Sequence, residues 1–101
     1  MSNRTIALEI ARQMGTRNRL AAMIGANHFV AIENGLQFSF KGSRKVNKCR
    51  VILDWSDTYT LELWKIQASS GESTLVASDT QVYGDQLIPI FEGHTGLYLT
   101  L

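Results

Sequence analysis

The chain has 101 residues and a formal net charge of +1, with 45% hydrophobic and 19% charged residues. This composition is typical of one ordinary globular domain, which we expect to span residues 1–101, and it excludes a disordered chain. Cys49 is the single cysteine, so an intrachain disulfide is excluded, and neither a cysteine-based metal site nor any cofactor site is expected.

The first predicted element is a helix, which Ser2 or Asn3 can cap because a short polar side chain accepts hydrogen bonds from the first free amides. Apolar residues then recur every four positions and form one stripe. Gly15 is expected to end the helix in the left-handed conformation. The stripe consists of Ile6, Ile10 and Met14.

Short strands are predicted after this helix. The apolar runs Leu20–Ile24 and His28–Ile32 favour strands, and Asn34-Gly35 predicts the two-residue turn of a hairpin. Alternating apolar residues then predict two strands separated by a basic turn, and the β-branched and aromatic segment Thr58–Ile66 predicts another. A further strand is expected at Thr74–Ser78. The alternating residues are Leu36, Phe38 and Phe40, then Cys49, Val51 and Leu53.

The C-terminal segment returns to helical spacing. Asp79 or Thr80 can cap a helix, which is expected to end at Gly93 or Gly96 and to kink or stop early at Pro89. We therefore predict an α+β fold: an N-terminal helix, an antiparallel meander of about five strands and a C-terminal helix, with a short final strand considered at Leu97–Leu101.

Charge is divided unevenly along the chain. Residues 1–50 contain nine lysines and arginines against two acidic residues, whereas residues 51–101 contain one lysine against seven. The largest basic cluster is the segment 41–50, which predicts either a phosphate-binding hairpin or a solvated turn that protects a sheet edge. Strand pairing can also place Lys48–Arg50 opposite Asp57–Glu62 and cancel part of this polarity. The candidate nucleic-acid-binding residues are Lys41, Arg44, Lys45, Lys48 and Arg50.

Trp55 lies between polar residues in the predicted turn Asp54–Asp57. It is the best candidate for an exposed aromatic anchor in a protein interface, and the alternative is a ring folded back onto the sheet. Catalysis is not expected, since Cys49, His28 and His94 fit no known catalytic motif and each is explained by packing or capping. The single cysteine and the charged N-terminus favour a cytoplasmic protein, and the longest apolar run is too short to span a membrane.

Several short motifs occur in order along most of the chain, and through them it resembles a group of small tailed-phage and prophage proteins to which no activity is assigned. The resemblance implies a phage or mobile-element origin and a compact α+β fold, while Trp55 and Pro89 depart from the pattern. With such an origin, the cytoplasm expected from the cysteine content is the host cell cytosol. The matching stretches are Ile24–Phe29, Glu33–Phe38, Asp57–Thr60, Val82–Leu87, Phe91-Glu92 and Thr95–Tyr98.

Three functions follow as hypotheses. The first is non-catalytic binding of a host protein complex, such as a nucleic-acid-guided defence complex (an anti-CRISPR role), and the second is nucleic-acid binding through segment 41–50. The third is a self-assembling structural component, a homo-oligomer in which basic and acidic regions pair between subunits.

Overall fold

A computed structural model describes residues 2–99 and confirms the α+β prediction. Five strands form a single antiparallel sheet in the order β1-β2-β3-β4-β5, so each strand pairs with its neighbour in sequence. The elements are α1 (Asn3–Gln13), α2 (Arg17–Ile24), β1 (Asn27–Ile32), β2 (Gly35–Ser39), β3 (Lys48–Leu53), β4 (Tyr59–Ile66), β5 (Ser73–Val82), a 3₁₀ turn (Gly84–Gln86) and α3 (Leu87–Thr95).

Two helices, rather than the single one predicted, precede the sheet. In α1 the Ser2 hydroxyl accepts from the Thr5 amide, and the predicted stripe is buried against the sheet. The prediction of a strand at Leu20–Ile24 is wrong, because this run forms the second half of α2. Leu20 and Ile24 lie one turn apart on the buried side of the helix, and Gly25 ends it in the left-handed conformation.

The first hairpin differs by one residue from the prediction. Ile32 pairs with Gly35, so the two-residue loop is Glu33-Asn34 and Gly35 already belongs to β2. Asn34 adopts a φ of 57°, a left-handed value that asparagine tolerates better than most residues. Gly35 is required for a different reason, since a Cβ at this position would lie 2.3 Å from the Val51 carbonyl oxygen.

One face of the sheet forms the core with the three helices. The predicted alternation in β2, β3 and β4 is confirmed, and Phe38, Val51 and Leu61 are fully buried on this face. Phe38 and Phe40 pack within an aromatic cluster, with Phe40 and Phe91 joined edge-to-face at 5.2 Å between ring centroids. The opposite face carries half-buried, mostly polar side chains, among them Arg50, Glu62 and Trp64.

The C-terminal segment begins later than predicted. Asp79 and Thr80 lie inside β5 instead of capping a helix, and α3 begins at Leu87 after the 3₁₀ turn. Pro89 therefore stands in the first helical turn, where an amide has no intrahelical partner to lose, and the helix continues past it to Thr95. The helix ends at Gly96 with a left-handed φ, as predicted. Residues 97–99 form no strand, and the rest of the final strand considered lies outside the described residues.

The thiol of Cys49 is buried in this core, which confirms its interpretation as a packing residue. Burial raises the pKa of the Cys49 thiol well above its usual range, because the thiolate would lose its solvation. The thiol is therefore neutral and inaccessible in the folded protein.

We expect Cys49 to react with a thiol reagent only after unfolding. Because the unfolded chain ionises this thiol above roughly pH 8.5 while the folded chain keeps it neutral, its contribution to the free energy of unfolding is complete below that pH and falls as the pH rises. Between neutral and alkaline pH, the free energy of unfolding measured by urea titration should therefore fall less for Cys49→Ala than for the wild type. Rapid labelling in native buffer would contradict the burial. Tyr59, whose pKa burial also raises, contributes equally to both proteins.

Candidate functional site

The basic segment 41–50 is divided between a loop and a strand. Residues 40–47 connect β2 to β3, and this loop is fixed by hydrogen bonds instead of extending freely. The Asn47 side chain donates to the Ile66 carbonyl at 3.0 Å and accepts from the Ile66 amide at 2.8 Å. The Ser43 hydroxyl accepts from the amides of Lys45 and Val46, and the Val46 side chain is buried. The loop therefore presents its cations from a defined backbone.

A shallow cleft of about 560 Å³ lies at this end of the sheet, and it contains the candidate residues Lys41 and Lys48. His28 joins them from β1, so three groups that carry or can carry positive charge converge from three chain segments. None of the lining residues is acidic. The remaining lining residues are Asn27, Ser39, Phe40, Asn47, Ile66 and Ala68.

His28 is the functional candidate that sequence reasoning missed. Its position at the start of a predicted strand favours a packing or capping residue, whereas the structure exposes it in the cleft with a φ of 53°. It lies where the β1–β2 register shifts between Asn27 and Val30, and such bulges re-aim side chains. Nothing local in the sequence marks this bulge, since it depends on how β1 pairs with β2.

The other basic candidates do not all join the cleft. Arg44 and Lys45 are exposed on the loop beside it. Arg50 lies on the open face of β3, opposite Glu62, with Arg50 Nη1 3.8 Å from the Glu62 carboxylate. The expected pairing of basic and acidic strand residues is thus confirmed at this position, and it offsets the charge of Arg50.

Trp55 is the most exposed large hydrophobic residue described, with 98% of its surface accessible. It stands in the turn between β3 and β4, so the folded-back alternative is wrong. Hydrogen bonds close the turn: the Asp54 amide donates to the Thr58 carbonyl at 2.8 Å, and the Asp57 amide donates to the Asp54 carbonyl at 3.1 Å. The Asp54 carboxylate also accepts from the Thr60 hydroxyl at 2.8 Å. The indole therefore projects into solvent from a turn whose backbone is closed by hydrogen bonds.

The surroundings of Trp55 are acidic. Asp54 and Asp57 flank it, and the neighbouring turn Glu33-Asn34 is joined to this one because the Leu53 amide donates to the Asn34 carbonyl at 2.7 Å. Neither turn contains a lysine or an arginine. We call the segment Asp54–Thr58 the tryptophan turn. The candidate residues thus lie at opposite ends of the sheet, with Lys41 and Lys48 at one end and Trp55 in a turn that carries two acidic residues at the other.

Within residues 2–99, no group of three or more histidine, cysteine, aspartate or glutamate side chains is placed to hold a metal ion. None of the helices in this range is long and apolar enough to cross a membrane. Comparisons with family models, with curated proteins and with solved structures found no significant match to the chain.

Proposed function

We propose that this protein is a phage-encoded accessory protein that binds a host protein complex without catalysis and makes its main contact through the tryptophan turn. The observation that carries the proposal is the fully exposed indole of Trp55 on a hydrogen-bonded turn. Tryptophan is among the residues that most often dominate protein interfaces, where burial of a single anchor contributes about 2 kcal/mol or more. The resemblance to small phage proteins favours a host partner in the cytosol.

The fixed geometry of the turn strengthens this argument. Hydrogen bonds fix the backbone of the turn, so this backbone loses little conformational entropy when a partner buries it. The turn also carries the acidic residues Asp54 and Asp57, which favours a partner that offers an apolar pocket with cationic groups close to it. Among the groups considered for catalysis, Cys49 is buried and cannot reach a substrate, which disfavours a cysteine nucleophile.

Affinity capture from host lysates tests the proposal when wild-type protein and Trp55→Ala are used as parallel baits. The proposal requires at least one host protein that the wild type enriches and the variant does not, followed by reconstitution of the complex from purified components. If both baits capture the same proteins from several infected hosts, or if neither captures any, the proposal is wrong.

Nucleic-acid binding is the second candidate function, and the cleft favours it. Lys41, Lys48 and His28 converge with no carboxylate among the lining residues, and Arg44 and Lys45 extend the positive charge along the loop. Such an arrangement attracts a phosphate backbone irrespective of base sequence.

Charge reversal in the cleft should reveal such binding. For Lys41→Glu/Lys48→Glu, we expect loss of single-stranded and duplex DNA binding at low salt, because two phosphate contacts become repulsive. Where residual binding is measurable, the slope of log affinity against log salt should be shallower by about 2. Fluorescence anisotropy between about 50 and 200 mM salt measures both quantities. Arg4→Glu/Arg17→Glu is the matched control, since it changes the net charge equally and neither residue lines the cleft. The cleft would be ruled out as the binding site if DNA affinity did not depend on salt concentration, or if the cleft variant and the control variant weakened binding equally.

A further inference from the structure

The two candidate surfaces lie at opposite ends of the same strand. Lys48, the first residue of β3, lines the cleft, and the tryptophan turn begins immediately after Leu53, the last residue of β3. At about 3.3 Å per residue, these six residues separate the two surfaces by roughly 17 Å. A tryptophan turn therefore cannot reach the cleft of its own chain, whereas it can reach the cleft of another copy.

The chemistry of the two surfaces is complementary. The lining of the cleft includes an apolar part, Phe40, Ile66 and Ala68, and two cations, Lys41 and Lys48. The tryptophan turn carries one large exposed ring and two acidic residues, Asp54 and Asp57. The apolar part suits the ring, and lysines close to an indole and to carboxylates gain both cation–π and charge-assisted interactions.

The size of the cleft also fits. At about 560 Å³ it has room for an indole together with part of the turn that carries it. Polar groups from Asn27, Ser39 and Asn47 line the same cleft and are suited to hydrogen-bond an indole N–H or a carboxylate. A bare phosphate would leave the apolar part uncovered, so the lining fits an aromatic, acidic turn better than it fits an inorganic anion.

We infer that the tryptophan turn of one copy inserts into the cationic cleft of the next copy, so that the protein assembles head to tail. Such a contact is heterologous, because it joins two different surfaces, and it leaves a free turn at one end and a free cleft at the other. It therefore extends into open chains, or closes into a ring if the rotation between copies permits. The assembly needs no host partner and so goes beyond the proposed function, although a partner that binds Trp55 would compete with it.

Sedimentation velocity of the purified protein tests this inference with two variants, each lacking one of the two surfaces. The wild type should form species larger than a monomer as its concentration rises, and high salt should weaken them. Trp55→Ala removes the ring, and Lys41→Glu/Lys48→Glu removes the charge of the cleft. Each variant alone should remain a monomer, since in each one half of the contact is missing. Arg4→Glu/Arg17→Glu should assemble like the wild type.

The decisive experiment mixes the two deficient variants. Trp55→Ala retains a cleft and Lys41→Glu/Lys48→Glu retains a tryptophan turn, so their mixture should form a one-to-one heterodimer and nothing larger. Far-ultraviolet circular dichroism verifies that each variant folds, and Lys41→Gln/Lys48→Gln replaces the charge-reversed variant if that protein unfolds. A monomeric wild type at all concentrations, a mixture that stays monomeric, or a single variant that still assembles would overturn the inference.

This design separates the three interpretations. Failure of the proposed host binding would leave the heterodimer unaffected, because the mixture contains only this protein. Conversely, the wild type could bind a host complex through Trp55 and yet remain a monomer. That result would support the proposed function and contradict self-assembly. If the protein only binds nucleic acid, its affinity for DNA should depend on Lys41 and Lys48 and should not change in Trp55→Ala.

Discussion

Trp55→Ala is expected to weaken the binding of a host partner by roughly 30-fold or more, which corresponds to about 2 kcal/mol of lost binding free energy. The same substitution should leave the free energy of unfolding within about 0.5 kcal/mol of the wild type, as for other exposed surface positions. The reason is that the indole is 98% exposed and adds almost nothing to the packed core. Isothermal titration of the reconstituted complex and urea unfolding measure the two quantities separately.

Trp64→Phe is the matched control for this prediction. Trp64 lies half-buried on the open face of β4, where its indole N–H donates to the Glu62 carboxylate at 3.1 Å. Its replacement should cost some stability and leave partner binding unchanged, because it is absent from the tryptophan turn. If Trp55→Ala instead destabilised the fold by more than about 1 kcal/mol while binding remained intact, Trp55 would be a structural residue.

Gly35→Ala is expected to cause the largest loss of stability, about 3 kcal/mol, at the upper end of overpacking effects. The added Cβ would lie 2.3 Å from the Val51 carbonyl oxygen in the neighbouring strand, so β2 and β3 would have to move apart. Both strands carry core residues, and this displacement would therefore disturb the packing of Phe38 and Val51 as well. Urea unfolding followed by circular dichroism measures the loss.

Gly93→Ala provides the matched comparison for Gly35→Ala. Gly93 lies inside α3, and a Cβ there would meet no atom within 4 Å. Alanine should stabilise this helix by roughly 0.5–1 kcal/mol, because glycine is the poorer helix former. Equal effects of the two substitutions would show that the close approach at Gly35 does not determine stability.

The sequence predicts those parts of the fold that depend on local pattern. The alternation in β2, β3 and β4 identifies the buried face correctly, and Ser2 and Gly96 identify two helix termini. The run Leu20–Ile24 fails because five apolar residues fit a strand or one buried helical turn equally well. Only the packing of α2, with Leu20 and Ile24 directed into the core, distinguishes them.

The candidate site is predictable only in part, for a similar reason. Lys41, Lys48 and Trp55 can be identified from charge and turn chemistry, and the structure places them at opposite ends of the sheet. The contribution of His28 depends on a register shift in β1 that only tertiary pairing creates. Arg50 belongs to the basic segment in sequence, but in the structure it pairs with Glu62 on the open face of the sheet. A count of basic residues along the segment therefore overestimates the positive charge of the cleft.

The fluorescence of Trp55 provides the most direct test of the central claim, that the tryptophan turn is the surface where a partner binds. In a Trp64→Phe background Trp55 is the only tryptophan, and dilution below the range of self-association keeps it exposed. Addition of the purified host partner should shift its emission to the blue and protect it from quenching by acrylamide, because the ring leaves water. An unchanged spectrum and unchanged quenching in a complex shown to form by sedimentation would contradict the claim.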